Sequence, residues 1–246
     1  MNFNFKTIIS LILLLFIFNG CAPVFNEFQG ADTVGQSNTV VTPYFSDSKA
    51  IPSDDSDDSD DSDIGDVDAN STMGIRIAYG LSDKRDIHLK LEKIDGNGGF
   101  VSGSLFSLGF KYFLYHDTVN NYRASFYLPI SYASRTIESN DLINMDEGTD
   151  ADQSFILVEP TIIASSQLHK LFDLNVSTKF IQKIGGDELG DDINEYGLAF
   201  NISSAISLPE ISGFSFIPEY GILFWDDDKF THTGFGVSVD LSKLNN

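Results

Sequence analysis

The chain is poor in several things that would otherwise point to a function. It has one cysteine, Cys21, so no intramolecular disulfide framework exists. It has four histidines, His88, His116, His169 and His232, too scattered for a zinc-type pair; each reads as a lumen or turn residue rather than a ligand. Basic residues are few, 15 Lys and Arg against 36 Asp and Glu. The formal net charge of −21 excludes a nucleic-acid partner, because phosphate binding needs a basic surface. There is no apolar run of ~20 residues to make a transmembrane helix. Neither a P-loop, a dinucleotide fingerprint nor a nucleophile elbow is present, and no cofactor or enzyme activity is expected. What is abundant is Phe, 21 residues, and Gly, 20 residues. That pairing suits a barrel with an aromatic exterior and tight interior positions.

The apolar residues recur with a period of two. Met73, Ile75, Ile77, Tyr79 and Leu81 alternate with Gly74, Arg76, Ala78 and Gly80. Ile87, Leu89 and Leu91 alternate with Asp86, His88, Lys90 and Glu92. Similar alternation runs over 122–131 and 196–208. It predicts strands with one bulky face and one small or polar face. Further strands are expected at Val101–Tyr115, Gln153–Ala164, Leu171–Gln182, Phe214–Trp225 and His232–Leu241, with a weak first strand at Asn38–Phe45, ten in all. Most span ~9–13 residues, the length a tilted strand needs to cross the hydrocarbon layer.

The fold class that follows is all-β, an antiparallel up-and-down barrel. A soluble barrel puts its bulky residues inside, whereas a membrane barrel puts them outside. Here the small face carries single charges of both signs: Arg76, Lys90, Glu92, Lys111, Arg123, Glu159, Lys179 and Glu219. Charges of opposite sign suit a narrow lumen, where pairing would plug the bore. These eight are the expected lumen-lining residues. The bulky sets, such as Phe106/Leu108/Phe110/Tyr112 and Phe235/Val237/Val239/Leu241, are expected to face lipid.

The connections support the membrane arrangement. If the chain starts in the periplasm, the outward connections are 46–71, 95–100, 133–152, 183–194 and 226–231, and the inward ones are 82–85, 116–121, 165–170 and 209–213. The outward set holds all three long loops, as outer-membrane barrels require. It also holds most of the acid, including SDDSDDSDDSD at 53–63. That run cannot bury apolar area and should be disordered. Hard carboxylate oxygens there would admit weak divalent cations, though without the spacing of a defined calcium loop.

The amino end reads as an address. Lys6 precedes the apolar run Ile8–Phe18, and the run ends in Phe18-Asn19-Gly20-Cys21-Ala22-Pro23. This resembles a bacterial lipobox, with Phe18 where Leu is usual. The resemblance implies a signal peptide over residues 1–20, cleavage before Cys21 and covalent lipid on Cys21. Cleavage would leave 226 of the 246 residues, enough for one domain. Residues 21–37 then read as a lipidated polar tether, and 38–246 as the barrel domain. In lipoprotein sorting, the non-acidic Ala22 implies export to the outer membrane.

Together with Ile217-Pro218-Glu219-Tyr220-Gly221, these features resemble small outer-membrane β-barrels, in particular lipoprotein-tethered barrels of Bacteroidetes-type bacteria. The resemblance implies an outer-membrane location, and outer-membrane lipid, barrel-assembly machinery and lipoprotein-sorting machinery as partners. Its function would be structural, surface-contact or small-pore. The chain departs from the usual pattern in ending Leu244-Asn245-Asn246 rather than on an aromatic residue. Two other readings remain at this point. One is a soluble periplasmic lipocalin-like lipoprotein holding an apolar ligand. The other is an outer-membrane hydrolase using Asp226, Asp227, Asp228 and His232 at the outer rim.

Overall fold

In a computed structural model of the chain, residues 25–51, 70–96, 101–137, 151–185, 195–208, 211–225 and 228–244 are described. The expected lipid site Cys21 and the acidic tracts at 54–68 and 187–192 lie outside the described residues. Eleven strand segments follow one another: β1 Thr39–Ile51, β2 Asn70–Ser82, β3 Arg85–Gly96, β4 Val101–Asp117, β5 Tyr122–Ile137, β6 Ala151–Val158, β7 Thr161–His169, β8 Phe172–Ile184, β9 Tyr196–Ser207, β10 Phe214–Trp225 and β11 Asp228–Asp240. Apart from β6 and β7, which do not pair with each other, consecutive strands pair antiparallel, and β1 pairs with β11 to close the cylinder.

The barrel has ten staves, because β6 and β7 are two parts of one. Both pair with β5 on one side and β8 on the other. The break falls at Glu159-Pro160, where proline has no N–H to give the ladder. The neighbouring carbonyls are still used: Glu159 N–H donates to Pro129 O at 3.1 Å, and Pro160 O accepts from Phe180 N–H at 3.0 Å.

The bulky face points outward. Phe110 is 56% exposed, and Phe106, Leu108, Tyr112, Ile130, Ile162, Phe200, Ile202 and Tyr220 are exposed with it. Phe45, Phe235 and Phe216 run across three adjacent strands on this surface, with ring centroids 6.2 and 5.8 Å apart. The outward charges Asp47, Lys49, Lys93, Asp95 and Lys229 stand toward one end of their strands and Arg85 and Asp117 toward the other, which leaves an uncharged belt between them among the described residues. A belt of this kind is the signature of a barrel that crosses a bilayer. It overturns the soluble lipocalin-like arrangement, which needs those side chains inside.

Several boundaries differ from those expected, among them the start of the last strand, Asp228 in place of His232. The first strand does not stop at Phe45 but continues to Ile51, so residues 46–51, expected in a loop, are strand. Ser46 and Ser48 are buried inside while Asp47 and Lys49 face out. The alternation thus persists after the residues turn polar, because the strand has risen past the apolar belt. Likewise β5 extends to Ile137. Val239, expected on the outer face, is buried, flanked by its register partners Val41 and Phe214; Leu241 falls in a short 3-10 turn, Leu241–Lys243.

Candidate functional site

The largest correction concerns the tether. Residues 25–34 do not run free beneath the barrel; they lie in its lumen. Phe25, Asn26, Glu27, Phe28 and Ala31 are all 1% exposed or less. The segment descends the bore in chain order. Phe25 packs in an apolar cluster with Leu105, Ala133, Leu157, Ile181, Ala199 and Leu223, close to the strand ends that lead into the long loops. At the opposite end, Thr33 Oγ1 donates to Asp83 O in the β2–β3 turn at 2.8 Å, and Val34 N–H donates to Asp86 at 3.0 Å. Gly35 (φ +81°) and Ser37 (φ +63°) then reverse the chain into β1. No Cβ fits on Gly80 there, since it would overlap the Gly35 carbonyl.

The eight residues expected to line the lumen are placed as follows. Arg76, Lys90, Glu92, Lys111, Glu159, Lys179 and Glu219 are buried inside the barrel, and Arg123 stands at the short-turn mouth with its side chain 11% exposed. They pair only partly with one another. Lys90 lies 2.8 Å from Glu92, and Lys179 lies 3.4 Å from Glu159. Several of the remaining partners come from the threaded segment. Glu27 lies 3.1 Å from Arg76 and 3.0 Å from Lys179. Lys111 donates to Gln29 Oε1 at 3.3 Å and to the carbonyls of Gly30 and Asp32. Arg123 pairs with Asp32 and, at 2.7 Å, with Asp173.

The segment's own backbone polar groups find partners on the wall, as buried amides must. Glu219 accepts both Glu27 N–H, at 2.6 Å, and Phe28 N–H, at 2.7 Å. Two successive amides converge on one anion in this way only if the backbone bends sharply, and Phe28 has φ +39°. Asn201 donates to Phe25 O at 3.0 Å, and Ala31 N–H donates to Ser165 Oγ at 2.7 Å.

Space for this chain comes from small residues and folded rings. Tyr44 lies over Gly74, and Tyr127 over Gly109, so that a Cβ on either glycine would enter the ring. Tyr44 Oη donates to Glu92, and Phe28 stacks on the Tyr44 ring with centroids 5.0 Å apart. Beside the lower part of the segment, toward the short-turn end, a cavity of about 600 Å³ remains, bounded by Phe28, Arg76, His88, Lys111, Asn175 and Ile217 among others.

The proposed rim constellation of His232 with Asp226, Asp227 and Asp228 does not form as expected. His232 points into the lumen, 3.2 Å from Glu219, with its ring under Phe25 at a centroid distance of 4.5 Å. Asp228 is exposed at the strand end, and Asp226 and Asp227 lie outside the described residues. The parity of β11 turns the histidine inward, where the apolar cluster around Phe25 seals it from the rim. Among the described residues no group of three or more His, Cys, Asp or Glu is placed to hold a metal.

No family model matches the chain, and no curated protein matches it. Solved structures of similar shape include the transport unit of the autotransporter AIDA-I from Escherichia coli (10% identity, TM-score 0.47, covering 96% of this chain and 97% of that one). The translocator domain of the autotransporter NalP from Neisseria meningitidis is another (10% identity, TM-score 0.46, covering 83% and 88%). The outer-membrane protease OmpT from Escherichia coli is a third (12% identity, TM-score 0.42, covering 83% and 97%). None of these likenesses assigns this chain an activity. The class that the fold itself defines is a closed, ten-stave antiparallel transmembrane β-barrel.

Proposed function

We propose that the chain is a non-enzymatic outer-membrane lipoprotein of the Bacteroidetes-like type, a barrel whose bore is closed by its own amino-terminal segment and whose role is structural or surface contact. The single observation that carries this reading is the buried Glu27 carboxylate bridging Arg76 and Lys179 across the lumen. A bore whose fixed charges are met by a segment of the same chain, beneath an apolar cluster at Phe25, would not conduct. Lipid on Cys21 and the acidic loops then give the barrel an anchor and a strongly anionic face. Barrel-assembly and lipoprotein-sorting machinery would be its partners in biogenesis. The loops would recruit divalent cations weakly, as hard oxygen donors do.

A small-pore role survives in conditional form. The segment is held by hydrogen bonds and ion pairs, so its withdrawal would open the bore. Planar-bilayer recording of the full chain tests both statements. Silent membranes with the full chain, and stepped conductance after deletion of residues 25–34, are expected. Steady conductance steps from the full chain would contradict the closed reading.

A further inference from the structure

The direction of the threaded segment has a consequence for the membrane face on which the amino end sits. Phe25 contacts Ile181, Ala199 and Leu223, which lie two or three residues from the long-loop ends of β8, β9 and β10. Thr33 and Val34 contact the short turn at the other mouth. The nine residue steps between Phe25 and Val34 span about 30 Å in extended form, comparable with the hydrocarbon thickness of a bilayer. Cys21 is four residues before Phe25, so its backbone lies within about 14 Å of it. That reach suffices for the long-loop mouth, beside which Phe25 lies, and leads away from the short-turn mouth that Thr33 and Val34 occupy.

We infer that the chain enters the barrel through its long-loop mouth, so that the amino end, with its lipid, is held on the membrane face that carries the acidic loops. If those loops face the cell exterior, as their length requires in outer-membrane barrels, the acyl chains enter the outer leaflet. The inference rests on the proposed lipidation of Cys21 and replaces the premise that the chain starts in the periplasm. The barrel still begins at the short-turn end, with Thr39, but the chain reaches that end from inside the bore.

The test uses the full chain in cells. Lipidation leaves no native thiol free, so single cysteines report accessibility to a membrane-impermeant maleimide. Pro23→Cys probes the amino end, Asp228→Cys the long-loop end, and Val119→Cys, at an 85% exposed position, the short-turn end. Val24→Cys serves as a second amino-end probe, and heat-modifiable migration confirms that each variant is folded. The expected result is labelling of P23C and D228C on intact cells, and of V119C only after permeabilisation. Labelling of P23C only together with V119C overturns the path through the bore. Labelling of V119C on intact cells, with D228C and P23C protected, overturns the surface placement. Radiolabelled palmitate incorporation that is lost in Cys21→Ser reports the lipid separately. Without such incorporation, P23C reactive on intact cells removes the anchor and upholds the path.

Discussion

Glu27, on the threaded segment, places its carboxylate 3.0 Å from the ammonium of Lys179 on β8, and both side chains are at most 2% exposed. Arg76 completes the contact from the opposite wall at 3.1 Å. Removing one partner from a buried ionic cluster leaves the others uncompensated, which costs about 3–5 kcal/mol. Glu27→Ala should therefore lower unfolding stability in detergent micelles by that order, with Glu27→Gln in between. A change within about 0.5 kcal/mol, measured by urea titration of the heat-modifiable band, would show that the segment does not hold the barrel.

The two tyrosines folded over glycine make a second, independent prediction. Gly74→Ala forces the Tyr44 ring off its seat and away from Glu92. Overpacking of this kind costs about 1–3 kcal/mol. In a Tyr44→Ala background the same change should cost little, because the space is then empty. A double-mutant cycle by urea unfolding measures the difference; additive effects would contradict the packing described.

The outer face predicts the effect of charge. Phe110 is 56% exposed on β4, with Leu108 and Tyr112 beside it on the same face. Phe110→Arg should weaken folding into lipid vesicles by about 2–4 kcal/mol if the residue sits near the bilayer midplane. Lys93→Arg, beyond the apolar belt, should be neutral. Gel-shift assays of vesicle insertion read both; equal yields for the two variants would argue against a lipid-facing belt.

Much of the barrel was legible in the sequence because lipid and lumen impose opposite demands on alternate residues. Every strand that keeps this alternation through the apolar belt was readable, and the short turns followed. The end of β1 was not, since Ser46–Lys49 is polar on both faces above the belt. Nor was the break at Glu159-Pro160, since Pro160 keeps the parity of the bulky set and Gln153–Ala164 reads as one unbroken strand. The threaded segment was the main omission. Phe25-Asn26-Glu27-Phe28-Gln29 is enclosed on all sides, so it has no face to be patterned and reads as a mixed linker. The charges named from the sequence lie together inside, yet their incomplete mutual pairing was the available clue that another chain segment supplies Glu27 and Asp32.

The measurement that tests the central claim most directly is proximity inside the bore, in a Cys21→Ser background. With Phe25→Cys as one site, a short bifunctional thiol reagent should join it to Leu223→Cys, its neighbour in the apolar cluster, and not to Asp86→Cys at the other end of the segment. Linkage to Asp86→Cys, or none in a folded barrel, would contradict an amino-terminal segment threaded from the long-loop mouth.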